Sequence, residues 1–411
     1  MKTRYKMEPP RLAAPYKGKT IKGPKKHTTP VHELYEKVQS LRIFKNLYAP
    51  VVFATFFLVI YGFVVLISAA ASIENASPLR QLLGILVGLV GMVVIERFDY
   101  RTFADMTLVL FFANIVLFAL PLIPGLGYTA KGMTGWVQIP GINFRFQPSE
   151  VMKLVTIYYM AGLCFKYQGH IERFRDYVQL CLLLAIPFLL LLTQDLGTSL
   201  IVLVAGATII VVSGAKKEWV IPTVILLVLL VALVIITSLI PGLPHILKDY
   251  QLKRLTVFVD PSSDSTGDAY NLNQAQIAVG SGGLLGKGFG QGTQASEGFL
   301  PEAQTDFIFA LLAEEFGFIG SILLLALFTL LIVSTIMLAK KTENWFGKLI
   351  LVGVAAMWLF QVFENIGMCI GIMPITGIPL PFISFGSSSM VVQLIAVGMV
   401  QSVYRHRVKA G

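Results

Sequence analysis

Charge is what this chain lacks most. Only 14% of its 411 residues are Asp, Glu, Lys or Arg, against about 25% in an ordinary soluble domain. With 55% hydrophobic residues and a mean hydropathy of +0.73, that shortage excludes a water-soluble globular protein. Cysteine is scarce too. Cys164, Cys181 and Cys369 all fall in apolar stretches without metal-ligand spacing, which excludes a disulfide framework and a cysteine-based metal centre. Ten-residue segments of alternating polarity are missing, which argues against a membrane β-barrel. A cleaved secretory signal is not expected either, because the first apolar run starts too late and is too long for one.

What the chain has instead is apolar runs of about 20 residues, the length that crosses roughly 30 Å of hydrocarbon as helix. Ten spans are expected, near 50–72, 80–96, 104–123, 148–166, 177–194, 197–215, 218–240, 304–338, 346–372 and 380–403. The fold class is therefore an all-α polytopic membrane protein. The eighth run is too long for one crossing. A short helix or re-entrant piece at "TDFIFALLAEEFG", followed by a span, accounts for its length.

The little charge present is unevenly placed. Net charge is +10, and up to Lys45 twelve Lys and Arg stand against three Glu. Residues 1–46 read as a basic, Pro-rich disordered tail in contact with anionic lipid, and no nucleic-acid-binding module accompanies it. Short loops on the tail's side of the membrane are basic: "ERFDYRTF", "KYQGHIERFRDY", "AKKEW", "AKKTENWFGK" and the final "YRHRVKAG". The opposite loops, "SIENASP", "QD" and "MPITGIP", are poor in Lys and Arg. The positive-inside rule puts both termini in the cytoplasm and the long 123–147 and 241–303 segments outside.

Candidate chemistry gathers on that outer side. Asp260, Asp264 and Asp268 recur every four residues in "VDPSSDSTGDAYN". Their spacing does not fit a calcium loop. One of them would serve as a general base in a low-dielectric site, or help hold a divalent ion; solvated turn aspartates are the plainer reading. "GSGGLLGKGFGQG" is not a phosphate-binding P-loop, because Ser281 and Gly288 occupy required Gly and Ser/Thr positions. Its backbone amides would still cradle a diphosphate, or form a plain turn. "AYNLNQAQIAVG" fits a short helix. Ionisable residues in spans are expensive and mark functional sites or structural pairs. Glu150 and Lys153, three apart on one helical face, point to a buried pair or a polar-headgroup site. Asp195, Asp306, Glu314, Glu315 and Glu364 read as caps, ion pairs or cavity residues. Pro374, Pro379 and Pro381 forbid a continuous helix through "MPITGIPLPFISFGSSS", which reads as a tight outward re-entrant turn before the last span.

"RFQPSEVMK", "QDLGT", "DPSSDSTGDAY", "IAVGSGGLLGKG", "FLPEAQTDFIFALLAEEFG" and "NIGMCIGIMPITGIPLPFISFG" together resemble the SEDS family, whose branches include RodA, FtsW and SpoVE. The resemblance runs collinearly over about residues 45–408 and defines a membrane domain at 47–408, with 241–303 as its extracytoplasmic catalytic loop. It implies ten transmembrane helices and a peptidoglycan glycosyltransferase that polymerises lipid II at the outer face of the bacterial cytoplasmic membrane. It also implies a class B penicillin-binding protein and other elongation-complex membrane proteins as partners. Carried over residue by residue, it makes Asp264 the catalytic acid–base residue. It matches Glu150 and Lys153 to cavity residues of the family, and Arg145, Trp136, Arg254 and Lys287 join them as substrate-side candidates. Asp195, Asp306, Glu315, Pro379, Pro381 and Ser384 become structural or cavity residues. No resident cofactor is implied beyond a divalent cation, Mg or Mn, with the substrate diphosphate. The chain departs from the family pattern at Ser265 and Thr266, at Gly135 before Trp136, and at "FGSSS". "FRFQPSE" and "VFVDPSSD" are more similar to the RodA branch than to the FtsW division branch. A lipid II flippase or other transporter would carry inverted repeats, which are not visible here. A non-catalytic scaffold would not need Asp264.

Overall fold

The computed structural model describes residues 47–73, 76–130, 133–138, 145–239, 257 and 267–407. The basic tail, Asp260, Asp264 and Arg254 lie outside these residues. With no water in a bilayer to satisfy backbone groups, apolar spans must close their own hydrogen bonds as helices. The helices are α1 (Ala49–Ser72), α2 (Pro78–Arg97), α3 (Thr107–Ala119), α4 (Pro148–Cys164), α5 (Phe174–Leu192), α6 (Leu196–Val212) and α7 (Lys217–Leu239). They continue as α8 (Asp268–Ser281), α9 (Thr293–Ser296), α10 (Ile308–Lys341), α11 (Trp345–Cys369) and α12 (Ser387–His406). All but α8 and α9 fall on the ten expected spans. Among the described residues seven helices are long and apolar enough to cross a membrane, and α3 and α6 are shorter apolar helices. The α4 helix has 17 residues and begins on a polar turn.

Several helix starts are written in the sequence. Ser77 caps α2, with Pro78 at its first position. Asp195 caps α6, accepting from Thr198 N at 3.1 Å and Thr198 Oγ1 at 2.6 Å. Asn344 caps α11, accepting from Gly347 N at 3.0 Å. Each cap contributes about 1 kcal/mol.

The core sits between α4, α11 and α12, where Trp358, Met357, Met160 and Val397 are fully buried. Against it, α2 and α12 form the most extensive helix pair. Gly84, Gly88 and Gly91 line the α2 side. A Cβ on Gly84 would lie 2.8 Å from Ser387 Cα, and one on Gly88 would lie 2.6 Å from Leu394 Cδ1. Small residues let two backbones approach where no hydrophobic effect drives them together. By contrast, no residue of α7 from Lys217 to Val234 is buried. At its start Trp219 packs on Phe174 and Tyr177, and the Tyr177 hydroxyl donates to Thr223 Oγ1 at 2.9 Å.

The long eighth segment breaks at Gly317, whose φ of 64° and ψ of −161° interrupt α10 after two turns. That region of backbone space is essentially glycine's alone. Between α11 and α12 the expected proline-rich turn is present, but the last helix starts at Ser387 and not near 380, because extended backbone and a tight turn occupy 374–386. A three-stranded antiparallel sheet was not foreseen: β1 (Gly127–Ala130), β2 (Met133–Gln138) and β3 (Arg145–Phe146), in the order β1-β2-β3. Its strands are too short to betray themselves by alternation.

Segments expected on the same side of the membrane do meet. The hairpin touches the start of α12 through Ser388 Oγ, which donates to Arg145 O at 3.0 Å. Ser387 Oγ donates to Arg80 O at 3.0 Å, and Gly197 packs under Ile378. At the other end Arg405 pairs with Glu96 at 2.8 Å, Ser402 Oγ donates to Phe98 O at 2.6 Å, and Ile171 N donates to Gly214 O at 3.3 Å.

Candidate functional site

β3 leads directly into α4, so the first turn of α4 lies beneath the hairpin. Here Lys153 Nζ meets Glu150 Oε1 at 2.8 Å, with the two side chains only 1% and 3% exposed. Burial of an ion pair is costly and is retained where geometry repays it. Only half of the carboxylate is repaid within the chain: Glu150 Oε2 is buried and has no hydrogen-bond partner among the described residues. Three residues on, Thr156 Oγ1 donates to Asn114 Oδ1 at 3.0 Å, tying α4 to α3. Above, the exposed Arg145 lays its guanidinium 3.8 Å from the Tyr128 ring centroid. Tyr128 is the register partner of Trp136, which is half-buried. The structure therefore brings Glu150, Lys153, Arg145 and Trp136 to one end of the bundle.

The glycine-rich stretch at 282–290 is bonded to the helix break. It is a tongue of backbone laid on the break in α10. Lys287 N donates to Glu314 O at 2.9 Å and Gly288 N to Glu315 O at 3.0 Å. In return Phe318 N and Ile319 N donate to Gly283 O and Leu284 O, at 2.9 and 3.1 Å. The amides of Lys287 and Gly288 are spent on the carbonyls of Glu314 and Glu315. A Cβ on Gly317 would lie 2.3 Å from Gly286 N, and one on Gly282 2.0 Å from Ala313 O, so glycine on both surfaces permits the contact.

Lys287, expected at the substrate, is placed in this tongue's anchor. Its Nζ lies 2.5 Å from Glu314 Oε1. The same oxygen, fully buried, accepts from Thr293 N at 3.0 Å, Thr293 Oγ1 at 2.9 Å and Gln294 N at 3.3 Å. Glu315 faces the other way and accepts a short hydrogen bond from Ser68 of α1.

The proline-rich turn is fastened by a separate polar network. Asn365 Nδ2 donates to Asp306 O at 2.9 Å and to Ile378 O at 2.8 Å. Ser384 Oγ donates to Thr305 O at 2.7 Å and accepts from Leu380 N at 2.8 Å. Thr376 Oγ1 donates to Glu364. Gln81, reaching from α2, donates to Ser384 O at 3.3 Å and accepts from Gly386 N at 3.0 Å. Pro381 is buried and Pro379 half-buried within this turn. The network was invisible in the sequence, where Gln81 and Ser384 stand 303 residues apart. Of the loop aspartates, Asp268 opens α8. Among the described residues no three His, Cys, Asp or Glu side chains converge as a metal site.

A bundle of apolar helices with a buried ion pair beneath a β-hairpin, and a glycine tongue locked on a broken helix, defines a polytopic membrane protein with a polar site at one end. The chain belongs to the FtsW/RodA/SpoVE family, whose model, described as "Cell cycle protein", matches residues 49–409. It is 34% identical over 352 residues to a probable peptidoglycan glycosyltransferase FtsW of Geobacter sp. (strain M18), covering 83% of this chain and 92% of that one. It is 36% identical over 353 residues to the peptidoglycan glycosyltransferase MrdB of Escherichia coli (strain K12), covering 85% and 91%. Its fold matches a chain solved in a study of how a peptidoglycan synthase complex coordinates polymerization and crosslinking. The TM-score is 0.74 at 30% identity, over 88% of this chain and 98% of that one.

Proposed function

We propose that the chain is a peptidoglycan glycosyltransferase that polymerises lipid II into glycan strands at the outer face of the bacterial cytoplasmic membrane. Both termini are then cytoplasmic, as the loop charges require. The observation that carries this reading is the buried Glu150–Lys153 pair under the outer hairpin, with one carboxylate oxygen unpaired. It stands in a chain whose curated relatives bear that activity in their names. The elongation role of the RodA branch is favoured by "FRFQPSE" and "VFVDPSSD"; an FtsW-like division polymerase is the alternative.

A sugar hydroxyl of one glycan attacks the anomeric carbon of another. The new C–O bond forms as the bond to the lipid diphosphate breaks, and a single displacement inverts the anomeric centre. Asp264 takes the hydroxyl proton as general base. Negative charge grows on the departing diphosphate, and Lys153 or Arg254 offsets it. The carbon in flight has oxocarbenium character. Glu150 holds Lys153 in place, and its free oxygen accepts from a substrate hydroxyl. Arg145 and Trp136 frame the headgroup from the hairpin. A divalent cation, Mg or Mn, would be held chiefly by the diphosphate's own oxygens. A class B penicillin-binding protein, with other elongation-complex membrane proteins, is the proposed partner, in keeping with the complex from which the similar structure comes.

The test is polymerisation of labelled lipid II by the purified protein with its penicillin-binding partner, the partner's transpeptidase being blocked. Wild type should give glycan chains and Asp264→Ala none. Equal chains from both would remove Asp264 from the chemistry. Lipid II crossing the bilayer without polymer from either would favour a flippase.

A further inference from the structure

Among the described residues, Gln168, Glu302 and Phe382 are the non-glycine residues whose φ lies in the left-handed region. That shape strains any residue with a side chain, and it persists only where the surroundings hold it. Two of the three have plain structural reasons. Gln168 ends the short helical turn Phe165–Tyr167. Phe382 is buried, with its ring centroid 6.1 Å from that of Trp358. Glu302, at a φ of 58°, is a half-buried carboxylate and not a core side chain.

What holds the Glu302 backbone does not require a glutamate. Its carbonyl accepts from Thr305 N and Asp306 N at 3.1 Å and from Phe307 N at 3.3 Å. Glycine would accept the same bonds without the strain. Within the turn the Glu302 carboxylate accepts from Thr305 Oγ1 at 3.1 Å and from Gln304 Nε2 at 3.5 Å, which fixes its direction. Such bonds on a half-exposed group contribute no more than the strain takes away. A carboxylate accepts up to about four hydrogen bonds, so one steadied by its own turn still accepts from a ligand.

The turn stands at the outer site. Ser384 Oγ donates to Thr305 O at 2.7 Å and Phe385 N to Gln304 O at 2.9 Å, while Ser388 Oγ donates to Arg145 O at 3.0 Å. Residues 384–388 thus carry the Glu302 turn at one end and the Arg145 strand at the other, and four steps of chain span at most about 14 Å. Arg145 and Lys153 bring positive charge to the hairpin side. A carboxylate repels a diphosphate, so Glu302 suits a neutral donor displaced from those cations.

We propose that Glu302 binds the sugar hydroxyls of the lipid-linked substrate. The inference rests on the substrate proposed above, and it adds a binding residue on the wall across the proline-rich turn from Arg145.

The experiment measures retention of three ligands by the full chain in nanodiscs, read by native mass spectrometry. The ligands are lipid II, lipid II stripped of its peptide, and undecaprenyl diphosphate, which has no sugar. Wild type should retain all three. Glu302→Gly, which relieves the backbone, should bind both sugar-bearing ligands about ten- to hundred-fold more weakly, the loss expected for a hydrogen bond to a charged group. It should bind undecaprenyl diphosphate as wild type does. Glu302→Gln, which keeps the backbone strain and removes the charge, should show the same selective loss to a smaller degree. Equal weakening of all three ligands would make Glu302 a structural prop and overturn the proposal, as would undiminished binding by both variants. Loss of lipid II alone, with the peptide-free ligand retained, would assign the carboxylate to the peptide and also overturn it. Polymerisation by the same samples separates this inference from the reaction it rests on. A wild type that retains the sugar-bearing ligands but makes no glycan removes the reaction and leaves Glu302 to be decided by retention. A wild type that retains neither sugar-bearing ligand overturns both.

Discussion

Lys153 and Glu150 form the most deeply buried ion pair among the described residues. Removing one member of a buried pair strands the other's charge, at about 3–5 kcal/mol, whereas removing both together is often neutral. Lys153→Met should therefore lower the thermal midpoint in detergent sharply, and Glu150→Gln/Lys153→Met should recover most of it. On the proposed mechanism the double variant should stay inactive in lipid II polymerisation, because the cation assigned to the departing diphosphate is gone. A double variant that polymerises normally would reduce the pair to a structural strut. Single residues were unevenly legible. Asp195 announced itself as a cap because its partner is three residues away. Glu314 did not, because Lys287 and Thr293 reach it from 27 and 21 residues away. Local chemistry can be read from a string of letters; partners brought together by folding cannot.

At the scale of elements, the break in α10 holds the glycine tongue. Gly317→Ala puts a methyl group 2.3 Å from Gly286 N and demands a backbone shape that costs alanine about 1–3 kcal/mol. The tongue should lift. Hydrogen exchange at Gly283–Gly288 should accelerate, and polymerisation should fall while the membrane helices stay intact. Unchanged exchange in the tongue would mean that the break does not hold it. The break itself was legible, since a 34-residue apolar helix exceeds what a bilayer needs. The hairpin was not. With four, six and two residues, its strands carry too few side chains for a period of two to show. The register that sets Trp136 opposite Tyr128 comes from the turn, not from a hydrophobic pattern.

At the scale of the whole molecule, the count and order of spans followed from apolar length alone. Which spans touch did not, because every span looks equally apolar to a hydropathy scale. The α2–α12 seam is the main case. Gly88→Leu would force a side chain into Leu394 and the Val391 backbone, so monodisperse yield and thermal stability should both drop steeply. Val87→Leu, one residue away but 56% exposed toward lipid, should change neither. If both substitutions behave alike, close glycine packing does not hold the seam.

That seam also sets a schedule for biogenesis. α2 enters the bilayer early, yet its closest partner is translated about three hundred residues later. Until then its glycine face has nothing to rest on. Gln81 has no Ser384 to grip, and Tyr48 waits on Gln401, 353 residues downstream. The first two helices thus lack their main partners through most of translation, and their closure is a late event. A ribosome that stalls before α12 leaves an inserted but unsealed chain, whose bare glycine stripe is a mark that membrane proteases can read.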